Sequence, residues 1–472
     1  MLKGCTLSLC AALLTLASAS AQSGHSVDVW LTTSDRTSLF THQAQPLVFS
    51  KQPAAQKTID IDAKTHYQSI DGFGFALTGG SAQLLMKMDQ PHRTAILKEL
   101  FATDGQNIGI SYLRLSIGSS DMNDHVFTYD DMPAGQQDPQ LAHFDLSQDR
   151  ADVIPVLKEI LAINPKIAIL GSPWTPPSWM KTNELPKGGS LRPELYSAYA
   201  QYFVKYIHAM AAEGIRIDAI TVQNEPLNPK NTPSLLMTSK EEGTFIATAL
   251  GPAFRQAHIK TKIILYDHNC DRPDYPLDIL ADSQAAQYVA GSGFHLYGGT
   301  IDAMTKVHDA YPKKDLYFTE QMVTQEDKET VRPLRIAQPV SRILIGATRN
   351  WSRNALLWNL AADPHDNPHT DSGGCPVCQG AITIDGNEVT RNLAFYTAAH
   401  ASKFVRPGSV RIQSGSPTAD ILPNVAFETP DHKKVLLIAN PTHDPATFSV
   451  RFKDAQFTAT LNAGDAATYV WH

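Results

Sequence analysis

Two glutamates are distinguished by the segments they close. Glu225 ends the run Thr221-Val222-Gln223-Asn224-Glu225-Pro226, and Glu320 ends Tyr317-Phe318-Thr319-Glu320. Two carboxyl groups facing each other can cleave the acetal link between sugars. One protonates the leaving oxygen and the other stabilises or captures the oxocarbenium-like centre. The first must stay protonated near neutral pH while the second stays ionised, so their environments must differ. Repulsion between the two charges by itself raises one pKa. Asn224 is suited to hydrogen-bond a sugar hydroxyl, and Trp174 and Trp358 offer flat faces for a pyranose ring.

Taken singly, these residues are weak signals. A glutamate at a strand end is more often an ion-pair partner, and about half of such tryptophans are simply core. What joins them is the pattern of elements. Eight strand-like segments are marked by apolar runs: Ser69–Thr78, Ile108–Gly118, Lys166–Trp174, Ile217–Glu225, Lys262–Asn269, Ser292–Tyr297, Asp315–Glu320 and Asn354–Leu360. Runs such as Ile167-Ala168-Ile169-Leu170 suit parallel strands covered on both faces. Helical periodicity fills the gaps, as in Leu195, Ala198, Tyr199, Tyr202, Phe203, Tyr206, Ile207 and Met210, stopped by Gly214. Ser239 and Glu242 suggest a capping box for a later helix. Eight strand–helix units predict an α/β fold, a (β/α)8 TIM barrel whose chemistry sits at the C-terminal strand ends. Glu225, Glu320, Trp174, Trp358, Asn224 and Tyr297 all fall at that end. An open doubly wound sheet is the alternative, but Gly72-Phe73-Gly74 lacks the third glycine of a nucleotide loop.

The chain ends differ from this pattern. Val435–Ala439, Thr447–Phe452, Phe457–Leu461 and Ala467–Trp471 read as short strands between turn residues, and residues 26–62 have similar character. The two ends together predict an appended β-sandwich-like domain. The expected boundaries are a signal peptide over 1–21, an N-terminal part of the β-domain over 22–66, a barrel over 67–405 and a C-terminal β-domain over 406–472. The signal peptide rests on Lys3, the apolar run Leu7–Leu16 and Ala19-Ser20-Ala21, and implies a secreted or periplasmic protein. No later stretch is long and apolar enough to span a bilayer.

Removing Lys3 takes the formal net charge from −7 to −8, which argues against nucleic acid or an anionic membrane as partner. Cys5 and Cys10 fall within the signal segment, leaving Cys270, Cys375 and Cys378. Cys375-Pro-Val-Cys378 has half of a zinc-site spacing with no second pair, so one local disulfide with Cys270 left over is expected.

The chain resembles glycoside hydrolase family 30, the glucosylceramidase-like family. The matching pieces are Asp71-Gly72-Phe73-Gly74, Tyr112-Leu113-Arg114, the run from Ser172-Pro173-Trp174 to Lys181-Thr182-Asn183, Tyr202-Phe203-Val204-Lys205-Tyr206, Gln223-Asn224-Glu225-Pro226 and Trp358-Asn359-Leu360. The resemblance covers roughly residues 60 to 410. It implies a retaining β-glycosidase with Glu225 as acid/base and Glu320 as nucleophile. It implies a −1 subsite lined by Arg114, Trp174, Asn224, His295, Tyr297 and Trp358, with no metal or organic cofactor. In glucosylceramidases the first strand is expected to end in Thr-Asp, whereas this chain has Thr78-Gly79. Loss of that carboxylate implies open space near O4 and O6 of the bound glucose, with Asp121 or Asp124 as replacements. The expected substrate is therefore a β-1,6-glucan or a glucosylceramide-like β-glucoside, a carbohydrate or glycolipid partner.

Three other readings compete. A metal-dependent hydrolase on the same barrel would place a His-x-His pair where Gly79 and Gly80 stand. A non-catalytic sugar-binding protein would not need both glutamates. An exo-acting β-glycosidase on another sugar, a xyloside or fucoside, would keep the same machinery.

Overall fold

A computed structural model describes residues 26–51, 57–325, 333–370, 374–415 and 422–472. The segment expected to be a signal peptide lies outside them. Eight parallel strands form one sheet: β1 (Gly72–Leu77), β2 (Tyr112–Ser116), β3 (Ala168–Ser172), β4 (Ala219–Thr221), β5 (Lys262–Cys270), β6 (Val289–Gly299), β7 (Asp315–Glu320) and β8 (Asn354–Leu357). They are hydrogen-bonded in sequence order from β1 to β7, with β8 beside β1. The last seam, between β7 and β8, is closed differently. Leu316 and Ser352 make a single bridge there, and the side-chain oxygen of Asn354 accepts from Phe318 N at 2.8 Å. Trp358 N then donates to Gln321 O at 2.9 Å, which closes the mouth beside the end of β7.

β1 to β4 and β8 stop short of their apolar runs at the C-terminal end, whereas β5 and β6 run past theirs and β7 ends at Glu320 as expected. β4 stops at Thr221 because the next residues leave the ladder for other strands. Asn224 N donates to Pro173 O and Glu225 N to Asp267 O, with Glu225 at φ 45°. Ser69 belongs not to β1 but to a long strand, Thr58–Ser69, that pairs with Val410–Ser414.

Capping sets the helix starts. Thr78 accepts from Ser81 N to begin the helix Gly79–Lys87, and Asp89 accepts from His92 N to begin Gln90–Phe101. The capping box before Ser239–Phe245 is made by Thr238 and Glu241, one residue earlier than the sequence pattern suggested. Glu242 is left free to turn into the barrel wall, where it accepts from Tyr266 N at 3.1 Å. The helix Tyr196–Ala212 lays Tyr199, Tyr202, Phe203 and Met210 on the barrel core, and Gly214 at φ 81° ends it.

The N-terminal strands, including Ser26–Thr32 and Thr58–Ser69, join the C-terminal strands in one ten-stranded sheet. Its own core contains Val27, Ile59, Ile412, Leu436, Val450, Phe457 and Trp471. This β-sandwich is fastened to the barrel by His400, buried on the helix Leu393–Ser402. Its ring nitrogens lie 2.9 Å from Thr468 Oγ1 and 2.9 Å from Thr32 Oγ1. Thr468 Oγ1 also donates to His400 O, so it accepts from Nδ1 and leaves Nε2 to accept from Thr32. A neutral imidazole satisfies both sides. No helix among the described residues is long and apolar enough to cross a membrane.

Candidate active site

The C-terminal mouth of the barrel gathers a buried network around one arginine. Arg114, at the middle of β2, reaches Glu320 Oε2 with Nη1 at 2.6 Å. Its Nη2 reaches Asn224 Oδ1 and Asp267 Oδ2, each at 2.7 Å. Trp174 lies 4.8 Å from the guanidinium carbon, and the Trp174 and Trp358 rings sit 5.4 Å apart. Those two tryptophans pack with Ala76, Met122 and Cys378, so the Cys375–Cys378 disulfide backs the aromatic wall. Cys270 is free and buried.

Glu320 is held at both oxygens, with Tyr297 donating to Oε1 at 2.8 Å. The Tyr297 hydroxyl in turn accepts from Met322 N, while the rest of the residue stays exposed. Glu225 has a different set of partners. Asn228 donates to Oε2 at 2.7 Å, and His295 Nδ1 lies 3.2 Å from Oε1. The same nitrogen is 3.9 Å from Glu320 Oε1, so one ring nitrogen lies close to both carboxyl groups. All eight residues expected at the site, Glu225, Glu320, Arg114, Trp174, Asn224, His295, Tyr297 and Trp358, are therefore assembled in one cluster.

The sequence reading missed the residue at its centre. Asp267 is completely buried and accepts from Arg114, His295, Thr319 and Thr221 at 2.7, 3.0, 2.6 and 2.7 Å. It stands at a β-bulge, where Gly293 pairs with Tyr266 and Phe294 with His268. The extra residue at φ 56° turns the carboxylate into the barrel. The available signal was the polar run Asp267-His268-Asn269 ending β5, at the same level as the other site residues.

Charge in this cluster is shared. Both His295 nitrogens face carboxylates, so both donate. Burial opposes its charge, but Glu320, Asp267 and Glu225 together lift His295 to about 9. Burial likewise opposes the charge on Glu225, yet the hydrogen bond and charge of His295, with His268 and Asn228, bring it to about 2. Glu320 is moved upward, by burial first and by the Glu225 charge, against the pull of His295 and Arg114. In the unliganded protein this order is the reverse of an acid at 225 and a base at 320. Glu225 and His295 lie in direct contact at 3.2 Å, so they titrate as a pair rather than as two independent groups.

The expectation of open space at Gly79 is corrected. A Cβ built on Gly79 would lie 2.0 Å from Asn123 Nδ2, so the side chain of Asn123 fills the gap. Asn123 is fixed within the loop after β2 by accepting from Ser120 N at 2.9 Å, and its side chain lies against Gly79 at the start of the helix. Of the two replacement carboxylates, Asp124 is exposed and bonded to Gln83 and His125. Asp121 is buried, and its Oδ1 has no partner. Burial and the charges of Glu320 and Glu225 push it up to about 8, which favours the neutral form near neutral pH.

One group among the described residues has metal-ligand spacing. Single donor atoms of Glu225, His268 and His295 lie within 4.8 Å of one another.

A barrel with two carboxyl groups gathered at its mouth, one of them anchored by an arginine, and a tryptophan wall has the form of a glycoside hydrolase site. Residues 70–405 match the glycosyl hydrolase family 30 TIM-barrel domain, and residues 408–469 match the family 30 beta sandwich domain. The chain belongs to glycosyl hydrolase family 30, whose members are retaining glycosidases. It is 37% identical over 370 residues to an endo-1,6-beta-D-glucanase of Neurospora crassa, covering 76% of this chain and 75% of the relative. It is 27% identical over 442 residues to the lysosomal acid glucosylceramidase of Mus musculus, covering 88% and 83%. The solved structure of the endo-beta1,6-glucanase BT3312 superposes with a TM-score of 0.86 at 35% identity, covering 94% of this chain and 99% of that one.

Proposed function

We propose that this chain is an exported endo-β-1,6-glucanase that works by double displacement, with Glu225 as acid/base and Glu320 as nucleophile. The observation that carries the reading is the pair of carboxyl groups flanking His295 Nδ1 at 3.2 and 3.9 Å, in a chain similar over three quarters of its length to an endo-1,6-beta-D-glucanase.

In this mechanism Glu320, oriented by Arg114 and Tyr297, attacks the anomeric carbon and becomes the covalently linked residue. Glu225 passes the proton it shares with His295 to the glycosidic oxygen. Glu225 then takes a proton from the incoming water, which releases the sugar with its configuration retained. Asn224, held by Arg114, is placed for the 2-hydroxyl. Trp174 and Trp358 stack on the sugar, and Asp121 offers a neutral carboxyl to hydroxyls at the far side of the ring. Arg114 stabilises charge that leaves Glu320 during attack and returns to it later, a preorganised electrostatic contribution.

A glucosyl lipid is the second reading, favoured by Asp121, whose carboxyl supports recognition of a terminal glucose. Product analysis on β-1,6-glucan alongside a glucosylceramide, with Glu320→Gln as control, tests both. Oligosaccharides from the glucan, absent with the variant, support the glucanase. Glucose released from the lipid alone overturns it.

A further inference from the structure

The expected catalytic cycle leaves one polar group beside the acid carboxyl without a task. His268, at the end of β5 immediately after the Asp267 bulge, is buried. Its Nδ1 has no hydrogen-bond partner, and it points at Glu225 Oε1 from 3.8 Å, too far for a hydrogen bond. A buried nitrogen left without a partner in such a place is destabilising. His295 Nδ1 approaches the same Oε1 from another side at 3.2 Å. Three donor atoms from three strand ends, two imidazole nitrogens and one carboxylate oxygen, thus converge on one small volume within 4.8 Å of one another.

We propose that Glu225, His268 and His295 form an inhibitory binding site for a divalent transition metal of the zinc type, which blocks the proton-donating position. The donor set matches a three-ligand zinc site with an open fourth position. Bonds of about 2.1 Å at tetrahedral angles separate ligand atoms by roughly 3.4 Å. The observed 3.2 and 3.8 Å contacts to Glu225 already bracket that value. The surrounding contact is also of the kind metal sites use. His295 Nε2 is anchored to Asp267 Oδ1 at 3.0 Å, which fixes the ring and aims Nδ1 at the site. Imidazole with carboxylate favours zinc, copper and nickel over calcium or magnesium. On binding, the proton between His295 and Glu225 leaves to solvent, and the metal takes the position a leaving oxygen would occupy.

The inference rests on Glu225 lying at the substrate position and adds a ligand to that place. The test titrates zinc sulfate into the full-length protein and into His268→Gln and His268→Asn, each confirmed folded by circular dichroism. Calorimetry reads binding, and hydrolysis of an aryl β-glucoside reads inhibition relative to each protein's own zinc-free rate. The expected result is one zinc per wild-type chain, inhibition that raises KM without lowering kcat, and roughly tenfold or weaker binding in both variants. Equal zinc affinity in the variants, non-competitive inhibition, or no zinc bound to the wild type overturns the site. If the wild type hydrolyses neither the aryl glucoside nor the glucan, the functional reading fails, and calorimetry alone then decides the metal site.

Discussion

Asp267 Oδ1 lies 3.0 Å from His295 Nε2, and this contact turns the other ring nitrogen toward Glu225. The same carboxylate holds Arg114 at 2.7 Å, and Arg114 holds Glu320. One buried group therefore orients both proposed catalytic carboxyls, each through an intermediary.

Replacing Asp267 by Asn keeps the volume but removes the charge that balances Arg114 and His295. Breaking a buried pair in this way costs about 3–5 kcal/mol of stability. The variant is expected to melt measurably lower, and kcat/KM is expected to fall about a hundredfold, or about 2.7 kcal/mol of transition-state stabilisation. Steady-state kinetics below the melting temperature check this. A variant within threefold of wild type removes Asp267 from its positioning role.

The two glutamates should separate by leaving group. With a dinitrophenyl β-glucoside, whose departure needs no proton, Glu225→Gln is expected to form the covalent intermediate at a near-normal rate and stall there. Glu320→Gln should form none. Intact-protein mass spectrometry sees the trapped adduct, and an adduct on Glu320→Gln would sink the assignment. NMR of the first product formed by the wild type should show the β-anomer.

The pH dependence follows from the shared proton. Glu320 is raised, so activity is lost on the acid side as it becomes protonated. On the alkaline side the loss comes as the Glu225–His295 pair gives up its proton, and His295 is itself lifted to about 9. In His295→Gln only Glu225 can hold that proton. The alkaline limb of kcat/KM should therefore move to lower pH. An unmoved limb would show that His295 takes no part in storing it.

His400 predicts a separate, structural pH effect. Burial lowers it to about 3, against an ordinary histidine value of 6.5 in the unfolded chain. Between those values the unfolded state binds the extra proton, so stability falls as pH drops from about 6.5 toward about 3, by an upper bound of about 5 kcal/mol. Denaturant melts over this range, compared with His400→Gln, measure it. The variant should start less stable and show a flatter acid slope. Parallel slopes would contradict the prediction.

Asp121→Ala is expected to raise KM for the preferred glucoside about tenfold, since a hydrogen bond to a sugar hydroxyl contributes about 1.4 kcal/mol. It should also leave stability equal or higher, because a buried carboxyl with an unpaired oxygen is removed. A loss of stability with unchanged KM would make Asp121 structural.

Much of this protein was legible before any contact was seen. The eight strands, the helix Tyr196–Ala212 and the two-ended β-domain are written in periodicity, which reports the burial of one face or both within a single segment. Barrel geometry then sends the strands' C-terminal residues to one mouth, which joins Glu225, Glu320, Asn224, Tyr297 and both tryptophans, whereas Arg114, at the middle of β2, followed only from the family resemblance. The Cys375–Cys378 bond needed only a spacing.

Other features depended on contacts between segments. Asp267 became the hub through a bulge in β5, a one-residue offset that no hydrophobic pattern records. The space at Gly79 was decided by Asn123, arriving from the loop after a different strand. His400 clamps two domains through threonines at positions 32 and 468, at opposite ends of the chain. The sequence by itself determined the elements, their order and the end of the barrel that carries the chemistry, because those follow from local propensity and burial. Only the tertiary structure decided which carboxyl holds which cation, which groups titrate together and which gaps are filled. Those depend on distances of a few ångströms between residues remote in the chain.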